Sequence, residues 1–179
     1  MTTLRSAFSF VSRCNASLAA LLVAGSALAA ALTIQWAGYE PCELCLRQRL
    51  PYYFGLPTLA AALLADRLLP AGTRVVSILT GAALASFLLA FALALHHVGV
   101  EHGFWEGPVR CVSRAFDMSS LDAFAAQIGR TPMVSCNVPS YRLVGFSLAT
   151  WNVAATAVVS ILLFQGFDVF RILKKSKDS

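Results

Sequence analysis

Three stretches of this chain run without a charged residue for longer than a bilayer is thick. Cys14–Tyr39 spans 26 residues, Val75–Val100 spans 26 (its histidines counted as neutral) and Leu143–Phe167 spans 25. About 20 apolar residues in a helix cross the hydrocarbon layer. A fourth run, Leu50–Ala65, has only 16 residues and contains Pro51 and Pro57. Arg49 can snorkel at one end of it and Asp66-Arg67 mark the other. The pattern predicts four spans at about 15–36, 47–65, 75–97 and 143–165, joined by loops at about 37–46 and 98–142. Inside the long loop, Ser120 resembles an N-cap, and Leu121, Phe124, Ala125 and Ile128 recur at helical spacing before Gly129. That predicts a short amphipathic helix lying on the outer leaflet. The expected fold is an all-α membrane protein, a four-helix transmembrane bundle forming one domain.

Composition closes off the soluble alternative. Hydrophobic residues make up 58% and charged residues 13%, too few polar groups to cover a 179-residue globule. Charge placement then orients the bundle. With four spans, both termini share a side with loop 66–74, where eight basic residues face three acidic ones, while six of each lie on the other side. The whole net charge of +5 therefore sits on one face, which the positive-inside rule makes cytoplasmic. The basic balance is explained by topology and anionic lipid and implies no nucleic acid partner. Ala27-Leu28-Ala29 looks like a signal cleavage site, but the apolar run continues ten residues beyond it. The expectation is a retained helix.

Chemistry enters at Pro41-Cys42-Glu43-Leu44-Cys45, where a polar turn meets the second span. Cys111 and Cys136 form a second candidate pair in the long outer loop. Outward-facing cysteines are commonly structural disulfides, yet a C-x-x-C ring closes too short a loop to staple much and suits exchange through a mixed disulfide. Zinc needs a second close pair that is missing, so no metal is expected. Heme attachment fails because Leu46 stands where histidine is required. If the second helix starts near Pro41, Cys45 lies in its first turn, where free amides and the helix dipole favour a thiolate. Gln48 and Arg49 follow at three and four residues, on the same face. Arg49 is a functional candidate and Arg47 a lipid-phosphate anchor. His97 and Glu101, four apart at the end of the third span, either bind a polar ligand or mark the interface. Cys14 is unpaired and expected to be inert.

Taken together, these motifs resemble the disulfide bond formation protein B (DsbB) family of bacterial inner membranes. The resemblance rests on Pro41-Cys-x-x-Cys-x-x-x-Arg49 with Tyr52-Tyr53, on His97-Val-Gly-Val-Glu101, on Trp105-Glu-Gly-Pro108 leading to Cys111 and then Cys136, and on Gly145-Phe-Ser-Leu-Ala with Trp151-Asn152, in the manner of the alphaproteobacterial branch. It covers about residues 15–165. It implies a thiol:quinone oxidoreductase that reoxidises a periplasmic thioredoxin-fold disulfide donor of DsbA type and passes electrons to ubiquinone or menaquinone. Carried over, Cys111 takes the mixed disulfide with the partner, Cys136 attacks Cys42, and Cys45 donates to a quinone polarised by Arg49. His97 matches a histidine near the quinone, with Glu101 and Gln48 beside it. Two other readings compete: a non-catalytic bundle stapled by disulfides, and a membrane reductase of the vitamin K epoxide type. The latter would carry its C-x-x-C at the start of the last helix.

Overall fold

The computed structural model describes residues 2–69, 73–107, 136–139 and 141–166, with side chains from Asn15 onward. Among these residues the chain forms α1 (Thr2–Trp36), α2 (Glu43–Leu68), α3 (Arg74–Glu101), a hairpin of β1 (Arg142–Leu143) and β2 (Phe146–Ser147), and α4 (Leu148–Gly166). Stretches of α1, α3 and α4, namely Asn15–Trp36, Arg74–Glu101 and Leu148–Gln165, are long and apolar enough to cross a membrane. The helix α2 is the polar exception, because it carries Arg47, Arg49, Asp66, Arg67 and two internal prolines. The protein is an all-helical membrane protein with one minor strand pair.

Four boundaries differ from the charge pattern, each for a local reason. Residues 2–13, ahead of the span expected at about 15–36, continue α1 because Gly25 is the first glycine and no proline interrupts. The helix α2 starts at Glu43 rather than 47, which brings Cys45 into helix. The helix α3 runs one turn beyond residue 97, so His97 and Glu101 share a helical face. The last helix starts at Leu148 rather than 143, because Val144 (φ 52°) and Gly145 (φ 83°) both take left-handed backbone and close the hairpin. Two consecutive positive φ values match the right-handed twist of paired strands; a β-branched residue there is uncommon. The amphipathic segment expected near 120–128, Cys111 and the side chain of Cys14 lie outside the described residues.

The helices form a ring. The helix α2 packs most extensively on α3, α3 on α4, α4 on α1, and α1 most lightly on α2. Lipid offers no hydrophobic drive between helices, so contact depends on shape. The centre is built accordingly from Ala20 and Ala24 of α1, Leu59 of α2, Ala83, Phe87 and Ala90 of α3, and Val159 and Leu163 of α4. Phe87 is fully buried and fits against Gly55, where an added Cβ would come within 3.1 Å of its ring. Ser86 Oγ donates to the Pro51 carbonyl at 2.8 Å, tying α3 to α2 beside a proline. Outward, Leu22, Leu50, Phe54, Leu64, Ile78, Leu89, Ile161 and Phe164 are exposed, as a lipid-facing surface requires. A second, smaller cluster of Cys42, Leu44, Val100 and Cys136 sits at the far end of the ring.

Candidate functional site

Cys42 ends the connection from α1 in extended backbone and caps α2. Its Sγ accepts the Cys45 backbone N–H at 3.3 Å, one of the amides a helix start leaves open. The two sulfurs are free thiols 2.9 Å apart. This geometry alters the expectation for Cys45. The open amide serves the Cys42 sulfur, so the helix start favours a thiolate there. The Cys42 thiol is accordingly held far below its ordinary value, at about 4. The Cys45 hydrogen bond is the largest cause, burial opposes it, and His97 adds to the lowering. Cys45 keeps the shared proton and is pushed up, first by its hydrogen bond to Cys42 and then by burial, with Arg49 pulling weakly the other way. Cys136 is buried in the same cluster and disulfide-bonded.

His97 is buried rather than marking the interface, and its Nε2 lies 3.6 Å from Cys42 Sγ. Its Nδ1 is 2.7 Å from Gln48 Nε2. Gln48 is therefore turned into the bundle, where its Oε1 accepts from Asn152 Nδ2 at 2.7 Å. Tyr52 OH donates to Asn152 Oδ1 at 2.6 Å. Glu101 stands 3.9 Å from His97 Nε2 and accepts from Ser147 Oγ at 2.5 Å. Ser147 also takes the Thr150 N–H at 3.2 Å, capping α4. Arg49 turns the other way, onto α1, where it donates to Gln35 and to the Ala31 carbonyl. Arg47 pairs with Glu43 at 2.6 Å. Gln35, Tyr52, Ser147 and Asn152 were not among the expected site residues. The available signal was an uncharged hydrogen-bonding group inside or beside an apolar run.

Cys42, Cys45, Gln48, Arg49, His97 and Asn152 line a cavity of about 440 Å³. Its apolar wall comes from α1 (Ala27, Ala30, Ala31, Ile34) and α4 (Leu148, Ala155), and its polar end from Cys42, Cys45, Gln48, Arg49 and His97. Cys42, Cys45 and His97 also place three potential metal-ligand atoms within 4.8 Å of one another. Two thiolates on one tetrahedral zinc, each about 2.3 Å from it, stand about 3.7 Å apart. Sulfurs 2.9 Å apart fit thiol–disulfide exchange better.

The loop after α3 folds back over the helix end. Trp105 Nε1 donates to the His96 carbonyl at 2.8 Å, and the indole stacks on the His96 ring with centroids 5.7 Å apart. It also lies across Gly99, where an added Cβ would be 2.1 Å from the ring. Gly107 then passes Val100 and Cys136.

The profile of the family described as Disulfide bond formation protein DsbB matches residues 13–165, nearly the whole chain. The chain belongs to the DsbB family. A further relative is the uncharacterized protein RP370 of Rickettsia prowazekii (strain Madrid E), 26% identical over 134 residues, which cover 74% of this chain and 73% of that protein. No solved structure matches. As a DsbB-family protein, the chain is a membrane protein of disulfide bond formation.

Proposed function

We propose that this DsbB-family protein is a thiol:quinone oxidoreductase of the bacterial inner membrane, with both termini cytoplasmic and both cysteine pairs periplasmic. The observation that carries the reading is a free dithiol on the wall of an apolar cavity at the bundle end, packed in one cluster with a disulfide-bonded Cys136. A periplasmic thioredoxin-fold donor of DsbA type supplies electrons as its dithiol. Its thiolate attacks the Cys111–Cys136 disulfide at Cys111 and releases Cys136 as a thiolate. The donor's second thiol then closes the donor disulfide, leaving Cys111 and Cys136 reduced by two electrons and two protons. Cys136 then attacks an oxidised Cys42–Cys45 bond at Cys42 and releases Cys45 as a thiolate. Cys111 resolves the Cys42–Cys136 link by attacking Cys136, which re-forms the Cys111–Cys136 disulfide and leaves the electron pair on Cys42 and Cys45.

The cavity suits a quinone: small α1 side chains leave room for a flat ring, and Arg49 at the polar end offers N–H donors. When bound, a quinone supplies a two-electron acceptor dissolved in lipid. Cys45, which lines the cavity together with Cys42, is the sulfur that donates the electron pair. Arg49, always cationic and oriented by Gln35, presents N–H donors where a carbonyl oxygen gains charge. His97 and Gln48 order the thiol end of the pocket.

The test uses purified protein, a reduced thioredoxin-fold dithiol and added ubiquinone or menaquinone. Stoichiometric quinone reduction coupled to dithiol oxidation, lost in Cys45→Ala, is expected. With wild-type protein, a reduced donor whose second cysteine is replaced by alanine should be trapped as a covalent complex through Cys111, because it cannot close its own disulfide. No dithiol oxidation with either quinone would reduce the protein to a stapled bundle, and oxidation that persists without Cys42 and Cys45 would overturn the role given to that pair.

A further inference from the structure

The buried polar chain has a direction, and one hydroxyl sets it. Its four links run Tyr52 OH to Asn152 Oδ1, Asn152 Nδ2 to Gln48 Oε1, Gln48 Nε2 to His97 Nδ1, and His97 Nε2 to Cys42 Sγ. It joins α2, α4 and α3. Each amide turns its oxygen toward the preceding donor and its nitrogen toward the next acceptor. Accepting from Gln48 requires a lone pair on Nδ1, so the neutral imidazole carries its proton on Nε2, facing Cys42.

The two amides and the imidazole alone could run the other way. Cys42 S–H would donate to Nε2, Nδ1–H to Gln48, Gln48 to Asn152, and Asn152 to the tyrosine oxygen. That reversed chain leaves the Tyr52 O–H with no acceptor. Tyr52 is buried, its ring meets Phe87 edge-on at 5.6 Å, and its hydroxyl bonds Asn152 alone among the described residues. A buried hydroxyl without an acceptor is costly, so the forward direction wins.

We infer that Tyr52 and Asn152 are positioning residues that lock His97 in the Nε2–H tautomer, making it a fixed hydrogen-bond donor to the Cys42 sulfur. The lock deepens the proposed thiol:quinone reading and rests on it for its purpose, but not for its existence. A donor held toward Cys42 keeps that sulfur a ready thiolate and leaving group. It also prevents His97 from taking the Cys42 proton through Nε2. Besides His97, the titratable and charged groups that line the cavity with Cys42 are Cys45, Arg49 and Tyr52 from α2, Glu101 from α3, Glu40 from the α1–α2 connection, and the phenols of Tyr39 and Tyr141. Among the described residues, α1 and α4 bring no ionisable side chain to the cavity.

The test reads the lock on the reduced, full-length protein without quinone or partner. Imidazole nitrogen shifts of labelled histidine, with His97 assigned by difference against His97→Gln, report the tautomer. Alkylation of Cys42 against pH reports the thiolate. Wild type should show Nε2–H alone. Tyr52→Phe keeps the ring and removes the lock. Mixed tautomers and a rise of about one to two pH units in the Cys42 midpoint are expected. Asn152→Asp cannot donate to Gln48 and should act likewise, serving as the second variant should Tyr52→Phe fold poorly. Gln48→Glu offers only acceptors, so it should drive the proton onto Nδ1. Tyr53→Phe, at an exposed neighbour, should change nothing. A wild-type Nδ1–H form, or an unchanged tautomer and midpoint in Tyr52→Phe, overturns the lock. Locked tautomers in a protein that cannot reduce quinone would instead refute the functional reading and leave the lock standing.

Discussion

The middle of the bundle and its thiol end are held by different physics. Around Phe87 most contacts are a matter of shape: alanines, a glycine facing a ring, and aliphatic side chains fitted between them. Around Cys42 the same helices are joined by directed bonds, from Tyr52, Asn152, Gln48, His97, Glu101 and Ser147. Shape tolerates rotation of a neutral side chain but not a change of volume. Directed bonds tolerate small shifts but not a change of donor or acceptor. Substitutions in the two regions should therefore fail differently, one in stability and the other in chemistry.

The largest expected effect tests the shape side. Phe87→Ala should destabilise the folded protein by about 3–5 kcal/mol, measured by unfolding in detergent, while Cys42 in the surviving folded fraction alkylates normally. An altered Cys42 pH profile in that fraction would erase the division. Next, Gly55→Ala should cost about 1–3 kcal/mol, because the Phe87 ring 3.1 Å away must shift. Unchanged stability there would mean that the α2–α3 seam is looser than described.

On the chemical side, a thiol whose value is lowered to about 4 stays deprotonated above that pH. Cys42 in reduced protein should alkylate at a nearly constant rate from neutral pH to about 5, then fall as pH drops through about 4. An ordinary thiol loses its thiolate below about 8.5. Mass spectrometry of the Cys42 peptide gives the profile, and His97→Ala should move its midpoint upward with little change in unfolding. The smallest effect belongs outside both regions. Arg47→Ala breaks only the half-exposed pair with Glu43 and should change stability by less than about 0.5 kcal/mol.

How much of this was legible beforehand follows the same division. Four helices could be read from charge-free runs, because a membrane span is a statement about composition over 20 residues. Even the polar α2 was recoverable, since Arg49 and Asp66 bracket its short charge-free run. The reactive pair was legible because C-x-x-C is local. The site's directed bonds were not, since Asn152 meets Gln48 across 104 residues and sequence offers no register between helices. His97 illustrates the limit: a histidine near a span end has the same pattern whether it faces headgroups or a thiol. The hairpin before α4 was missed because apolar Leu143, Val144 and Phe146 prolong a charge-free run, while Val144 and Gly145 turn the backbone.

Gly99 and Trp105 carry a consequence for how this chain can vary. No side chain fits at position 99 while the indole covers it, and the indole's place is fixed by the His96 carbonyl and ring. Neither residue can be exchanged first without harm, so the two form a single inherited unit. Among related chains they should be kept together or lost together, and a lineage that separates them should have rerouted the segment leading to Cys111.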